Sequence, residues 1–229
     1  MKKKILYGGG EDYNILFFFF LKICREKIYQ SFEKEIFSFK KIGKILDIGT
    51  SPINSDYQNY LIHKYPHKEK ITCVSNVKLI KIKRKYPKIK TLQCDGRKIP
   101  LKDNTFDIVM SNATLEHVGN NNNQIKFVKE SIRLCKKLVF ISTPNRYFPI
   151  DFHTLLPFIH WLPKKMHRLL LKKLNLDFFA KESNLNLLSI NNLKEICSVL
   201  KIENYKIIRV RLFFFTTNLI LIIRKIKFS

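Results

Sequence analysis

The sequence has no C-x-x-C pair. Its five cysteines, Cys24, Cys73, Cys94, Cys135 and Cys197, are odd in number and widely scattered. That excludes a disulfide framework and a cysteine-built zinc site, and it reads as free thiols in a reducing compartment. No apolar run approaches the ~20 residues a helix needs to cross a bilayer. Ile15 to Leu21 is seven residues long, and Leu212 to Ile223 is interrupted by Thr216, Thr217 and Asn218. Met1 to Lys4 resembles the basic start of a signal peptide, but Gly8 to Asp12 breaks the apolar stretch that should follow, so a cytoplasmic protein is expected. Arginine is scarce, with 9 residues against 34 lysines, although the formal charge reaches +25. Bidentate recognition of phosphate or guanine favours clustered Arg. The charge therefore reads mainly as solvated lysine, with a polyanion or anionic-membrane patch as the weaker alternative. Internal repeats and long biased tracts are also missing.

What is present is a chain of 229 residues, 45% apolar, enough for one full-sized core. From about Tyr13 to Phe39, Leu16, Phe20, Ile23, Ile28, Phe32 and Ile36 recur at helical spacing, so residues 1–40 form an N-terminal helical segment that covers a sheet edge or caps a pocket. The texture then changes. Short apolar strands at Lys44 to Gly49, Ile71 to Val74, Ile89 to Gln93, Phe106 to Met110 and Leu138 to Ile141 alternate with helical segments near Ser55 to Tyr65, Val77 to Lys85 and Gln124 to Leu134. Asn54 or Ser55 is the expected cap of the first of these helices, and Asn120 to Asn123 a polar loop before the third. Such alternation implies a parallel sheet with right-handed crossovers. Tyr205 to Phe215 and Leu219 to Arg224 are separated by only a few polar residues, which fits an antiparallel hairpin. The fold expected for 41–229 is thus α/β and Rossmann-like: a mostly parallel seven-stranded sheet, helices on both faces, a C-terminal antiparallel hairpin, and an insertion at 143–189.

In open α/β sheets ligands bind beyond the carboxyl ends of the strands. Asp47-Ile48-Gly49-Thr50-Ser51-Pro52 follows the first strand, Cys94-Asp95-Gly96-Arg97 the third, and Ser111-Asn112-Ala113-Thr114-Leu115-Glu116-His117-Val118 the fourth. The order I-L-D-I-G, then C-D-G-x-x-I-P-L-x-D-N-T-F-D-I-V, then L-E-H-V resembles the type 11 group of class I methyltransferases dependent on S-adenosylmethionine (SAM). The motifs cover about residues 44–145. Ser142 to Pro149, Phe152 to Thr154 and His160 to Pro163 are similar to one bacterial subgroup.

The resemblance implies SAM as cofactor and roles for particular positions. Asp47 and Gly49, with Thr50 beside them, match the turn under the methionine end of SAM. Asp95 matches the acid that bonds the adenine amino group, with Gly96 beside the ring, and Asn112 and Ala113 match the wall near the transferable methyl. There are two departures. Thr50, Ser51 and Pro52 replace the further glycines of the first motif, and Ser75 and Asn76 stand where an acid grips the ribose hydroxyls. Neutral partners hold a hydroxyl more weakly than a carboxylate does.

Methyl transfer to a hydroxyl or amine also requires a proton acceptor, and His117 and His153 are the candidates, against a structural role for either. Arg146, Asp151 and Trp161, in the insertion, are candidate acceptor-binding residues. Arg146 and Asp151 alternatively pair with each other, and Trp161 alternatively belongs to the core. No metal is expected. Lys164 to Leu174 puts Met166, Leu169, Leu170 and Leu174 on one face of a basic helix, either a lid packed on the domain or a peripheral membrane contact. The acceptor expected is a small molecule or a lipid- or sugar-linked intermediate, methylated at oxygen. An RNA methyltransferase and a non-catalytic SAM-fold scaffold are the competing readings.

Overall fold

The computed structural model describes residues 15–53, 55 and 58–225, with side chains from residue 19 onward. The signal-like start, the Gly8 to Asp12 break and Asn54 lie outside the described residues. Seven strands form one sheet in the order β3-β2-β1-β4-β5-β7-β6. They are β1 (Ile45–Ile48), β2 (Ile71–Ser75), β3 (Lys90–Gln93), β4 (Phe106–Asn112), β5 (Cys135–Pro144), β6 (Tyr205–Leu212) and β7 (Phe215–Arg224). The first five pair in parallel; β7 runs antiparallel to β5, and β6 antiparallel to β7.

Strand alternation sorts the apolar side chains into two layers. Ile45, Ile108, Met110, Leu138, Phe140, Ile220 and Ile222 face α1 (Ile15–Phe37), α2 (Tyr60–Lys64) and α3 (Ile80–Lys85), whose Ile28, Phe32, Leu61 and Ile82 complete that core. Leu46, Ile48, Val109, Val139, Ile141, Leu219 and Leu221 point the other way, onto Phe127 and Val128 of α4 (Asn121–Leu134) and Leu193 and Ile196 of α7 (Ile190–Val199). Phe32 and Phe140 meet edge to face at 5.4 Å, both fully buried, a geometry that adds about 0.5–1.5 kcal/mol beyond area burial.

The insertion between β5 and α7 carries a third, small core. Leu171, Phe179, Ala180, Leu185 and Leu187 pack together, drawn from α5 (Lys164–Lys173), α6 (Asp177–Ala180) and the segment after them.

Several expectations change. The helix after β1 is only Tyr60–Lys64, preceded by Asn59, because Asn59 spends its side chain on the loop: its amide donates to Ser51 O and Ile53 O and its carbonyl accepts from Ser51 N. Ser55 caps nothing; its carbonyl accepts from Gln58 N and meets His63 Nε2. The Asn120 to Asn123 run is not a loop but the first turn of α4, with the Asn120 side chain accepting from Asn123 N. The hairpin turns at Phe213 and Phe214, and Thr216, Thr217 and Asn218 lie inside β7. In α5 it is Leu171 that is buried, whereas Met166, Leu169 and Leu174 stay exposed. The helix turns the residue next to the anticipated stripe onto the small core. Among the described residues no helix is long and apolar enough to cross a membrane.

Candidate active site

The carboxyl ends of β1 to β4 bring the turn residues to one sheet edge. At the end of β1, Gly49 adopts φ +90°, and a Cβ there would stand 2.0 Å from Thr114 Oγ1. Glycine is therefore dictated by the close crossing of the β4 turn as well as by its backbone conformation. The N–H groups of Gly49 and Thr50 both donate to Val74 O, at 2.8 and 3.1 Å. Asp47 is buried, and Thr50 Oγ1 donates to its Oδ2 at 2.8 Å. Burial pushes its carboxyl up to about 6, the hydroxyl offsetting this only in part.

Ser75 is buried at the end of β2, and its carbonyl accepts from Cys94 N; Asn76 is exposed. Asp95 is exposed and held by Arg97 through its backbone N–H and its guanidinium, which keeps the carboxyl below its ordinary range. Gly96 sits where a Cβ would press within 3 Å of Ile48 and Phe127, so close packing requires glycine there. Asn112 ends β4 with its Oδ1 accepting from Ser142 Oγ, and Ala113 follows at φ 50°. A positive φ at a non-glycine residue is strained and gathers at functional sites.

SAM carries a cationic amino group, and Asp47 fits it: a buried carboxylate with a single hydroxyl donor gains from a cation at its side. Ser75, Asn76, Asp95, Gly96, Asn112 and Ala113 stand at neighbouring strand ends, where the nucleoside and the sulfonium of such a cofactor would be held.

The second half of the site is assembled from distant sequence. The 3-10 turn Leu115–His117 after β4 presents Glu116 and His117, and the insertion brings His153 to them. The two imidazoles meet with Nε2 atoms 3.2 Å apart and ring planes at 82°. His117 Nδ1 lies 2.7 Å from Asn184 O, and a carbonyl only accepts, so that nitrogen carries the hydrogen. His153 Nδ1 lies 2.9 Å from Asp151 Oδ1, and Asp151 also accepts from His153 N and Thr154 Oγ1. Burial drives His117 down to about 3, with the His153 charge adding to the effect. Burial opposes protonation of His153, yet Asp151, and behind it Glu116, win and raise it. Asp151 is held far below the usual carboxylate range by His153 against the desolvation it suffers. Glu116 is wholly buried and raised by that burial; Oε2 accepts from Thr143 Oγ1 at 3.0 Å, and Oε1 has no hydrogen-bond partner. The Arg25 charge on α1 acts on the same carboxyl, favouring its ionised form against the burial.

The structure thus joins His117, His153 and Asp151. It does not join Arg146 to Asp151, because Arg146 donates to His160 O and Leu162 O instead. Trp161 is outside the core: it is exposed, its indole edge on Phe158 at 4.9 Å. Glu116, Asn184 and Arg25 were not singled out by sequence. Glu116 stood in the L-E-H-V motif, and its adjacency to His117 was the available signal.

Five parallel strands closed by an antiparallel hairpin, with motif residues at the carboxyl edge, define the class I methyltransferase fold. The family model described as "Methyltransferase domain" matches residues 54–141, from the loop after β1 into β5. A Mycobacterium tuberculosis protein named "Probable S-adenosylmethionine-dependent methyltransferase" is 31% identical over 67 residues, 28% of this chain and 23% of its own length. This chain therefore matches about a quarter of that relative. The Burkholderia thailandensis 1,6-didemethyltoxoflavin-N1-methyltransferase, solved with 1,6-didemethyltoxoflavin and S-adenosylhomocysteine, shares the fold at TM-score 0.60 and 12% identity, over 89% of this chain and 79% of that one. Synechocystis magnesium protoporphyrin IX methyltransferase, solved with S-adenosylhomocysteine, shares it at TM-score 0.58 and 11% identity, over 95% and 90%. The sequence match over residues 54–141 is to a methyltransferase domain, and the fold is the one seen in solved methyltransferases, two of which hold S-adenosylhomocysteine.

Proposed function

We propose that the chain methylates an oxygen of a small-molecule, lipid-linked or sugar-linked acceptor, with SAM as donor. SAM supplies an electrophilic methyl group on a sulfonium. The chain's own residues bind, align and take up a proton. Asp47 pairs with the cationic amino group, while Ser75, Asn76 and Asp95 with Gly96 hold the nucleoside. Asn112 and Ala113 line the methyl side, and the insertion at 143–189 supplies the acceptor wall. The observation that carries the reading is the coupling of His153 to Asp151 beside the β4 turn. A base oriented by a carboxylate is the arrangement by which a hydroxyl proton is taken as the oxygen attacks carbon.

The lipid-linked form of the acceptor is supported by α5, whose exposed Met166, Leu169 and Leu174 are interleaved with Lys165, Lys172 and Lys173. Such a helix lies in an anionic membrane interface, and a cytoplasmic enzyme would meet its acceptor there. RNA as acceptor has one observation in its favour: Lys27, Lys34, Lys194, Lys206, Arg209 and Arg211 line a groove along the β6 edge. That edge flanks the hairpin and not the strand ends where His153 stands.

The test begins with SAM and the purified protein. A rise in melting temperature is expected, since a ligand at a hundredfold excess over Kd stabilises the native state by about 2.7 kcal/mol. His153→Ala should then retain that shift and lose about 10²–10⁴-fold in methyl transfer from labelled SAM. No shift at millimolar SAM refutes the cofactor role, and unchanged turnover in His153→Ala refutes the base.

A further inference from the structure

We infer that Glu116, His117 and His153 form a binding site for a divalent transition-metal ion, with Zn2+ as the best match. The inference rests on reading this edge as the acceptor side of a methyltransferase, and it adds a group that no motif in the sequence calls for. Each residue offers one ligand atom, and the three atoms converge. The two Nε2 atoms are 3.2 Å apart, and Glu116 Oε1 stands 3.8 Å from that of His117 and 4.0 Å from that of His153. Ligand atoms at about 2.0–2.2 Å from a tetrahedral ion stand about 3.3–3.5 Å from one another. The imidazole pair already has that spacing, and the carboxylate has about half an ångström to travel.

The orphaned atom is the independent observation. A single proton between the two Nε2 atoms satisfies both rings but does nothing for Glu116 Oε1, which is fully buried and without a hydrogen-bond partner. A buried acceptor left unpaired keeps its full desolvation penalty, larger for a charged group than for a neutral one. A cation at the centre of the triangle satisfies all three atoms at once.

The outer partners are those of a metal centre. Each ligating ring has its other nitrogen held by an acceptor, Asp151 Oδ1 behind His153 and Asn184 O behind His117, which turns both Nε2 lone pairs inward. Thr143 fixes the other Glu116 oxygen, and Thr154 steadies Asp151. Charge also allows it. Glu116 and Asp151 place two carboxyl groups at the cluster, whose charge a divalent ion would offset. Two imidazoles with one carboxylate favour Zn2+, or Mn2+ and Fe2+ behind it, over Mg2+ and Ca2+, which prefer all-oxygen sets. Three protein ligands leave a fourth position; with the ion bound, His153 would be a ligand and not the proton acceptor, and an acceptor oxygen in that position would lose its proton to solvent more readily than in water.

The experiment uses the whole chain, stripped with chelator and free of SAM and acceptor. Zn2+ titrated by calorimetry should bind at one equivalent and raise the melting temperature, and Co2+ should give visible absorption of a four-coordinate nitrogen and oxygen set; Mg2+ at the same concentration should give neither. Glu116→Gln keeps the shape and should weaken Zn2+ at least about tenfold, and Asp151→Asn, which touches the ion only through His153, about 10–100-fold. His117→Ala with His153→Ala should abolish the cobalt spectrum. Zn2+ without measurable binding overturns the site, as does equal affinity in parent and Glu116→Gln. A stability change in Glu116→Gln with no metal response assigns the cluster to hydrogen bonding alone and also overturns it. Because SAM binding is read separately on the stripped protein, failure here and failure of the methyltransferase reading are distinguishable.

Discussion

At the residue scale Asp47 makes stability depend on pH. Its carboxyl is held at about 6 by burial, above the ~3.9 of an unfolded chain. A carboxyl raised on folding favours the native state in its protonated form. That contribution is complete below about pH 4 and is lost as pH rises through about 6. At neutral pH the native protein therefore keeps a buried charge with one hydroxyl donor, the condition a cationic ligand relieves. Asp47→Asn keeps the shape and removes the charge. In urea unfolding it should be about 1–3 kcal/mol more stable than the parent at pH 7.5, with the gap closing toward pH 4. An equal gap at both pH values would show that the carboxylate carries no such cost.

At the scale of elements, the helix ends hold the loops that build the site. Asn120 caps α4, and α4 in turn presents Gln124, whose amide donates to Leu115 O and Asn186 O, tying the β4 turn to the insertion. Asn120→Ala should cost about 1 kcal/mol, in the range 0.5–2, while Asn122→Ala, an exposed neighbour in the same turn, should cost almost nothing. Thermal unfolding of the two variants decides it; equal effects would mean that the cap is idle. The sheet was legible because apolar strands such as Ile71 to Val74 and Leu138 to Ile141 are short, bounded and separated by helical stretches. The Asn120 to Asn123 run misled because asparagine favours loops and helix caps alike, and only the tertiary position of α4 selects between them. Thr216 to Asn218 misled in the same way: polar residues suggested a turn, but pairing of β7 with β5 and β6 outweighs that preference. In the site, Asp47, Gly49 and Asn112 were visible from the strand pattern. The meeting of Glu116 and His117 with His153 was not, because it depends on how a 40-residue-scale excursion returns to the sheet, which no local spacing encodes.

For the whole molecule, the exposed apolar groups are unevenly distributed. Tyr147, Phe158, Trp161, Met166 and Leu169 all belong to the insertion, and Lys165, Lys172 and Lys173 lie among the last of them. Vesicles of phosphatidylglycerol should therefore sediment the protein, vesicles of phosphatidylcholine much less so, and salt should weaken the contact because surface charges are screened beyond ~10 Å at 0.1 M. Replacing Met166 and Leu169 by Glu should release it. Equal binding to both lipids, or none, would remove the support for a membrane-borne acceptor.

The small core of Leu171, Phe179, Ala180, Leu185 and Leu187 packs that same insertion against itself, apart from the two layers that flank the sheet. Its polar ties to the sheet domain include His153 against His117 and the 184–186 segment, where Asn184 O meets His117, Asn186 N donates to Glu116 O, the Asn186 amide donates to Gly119 O and Asn186 O accepts from Gln124. Local opening in proteins follows such cooperative blocks, with free energies well below that of global unfolding. Were the insertion to open as such a block, His153 and Asp151 would leave together and Glu116 and His117 would stay on the β4 turn. A ligand bridging the two imidazoles would hold that block shut, so its occupancy and the closure would be one equilibrium and not two.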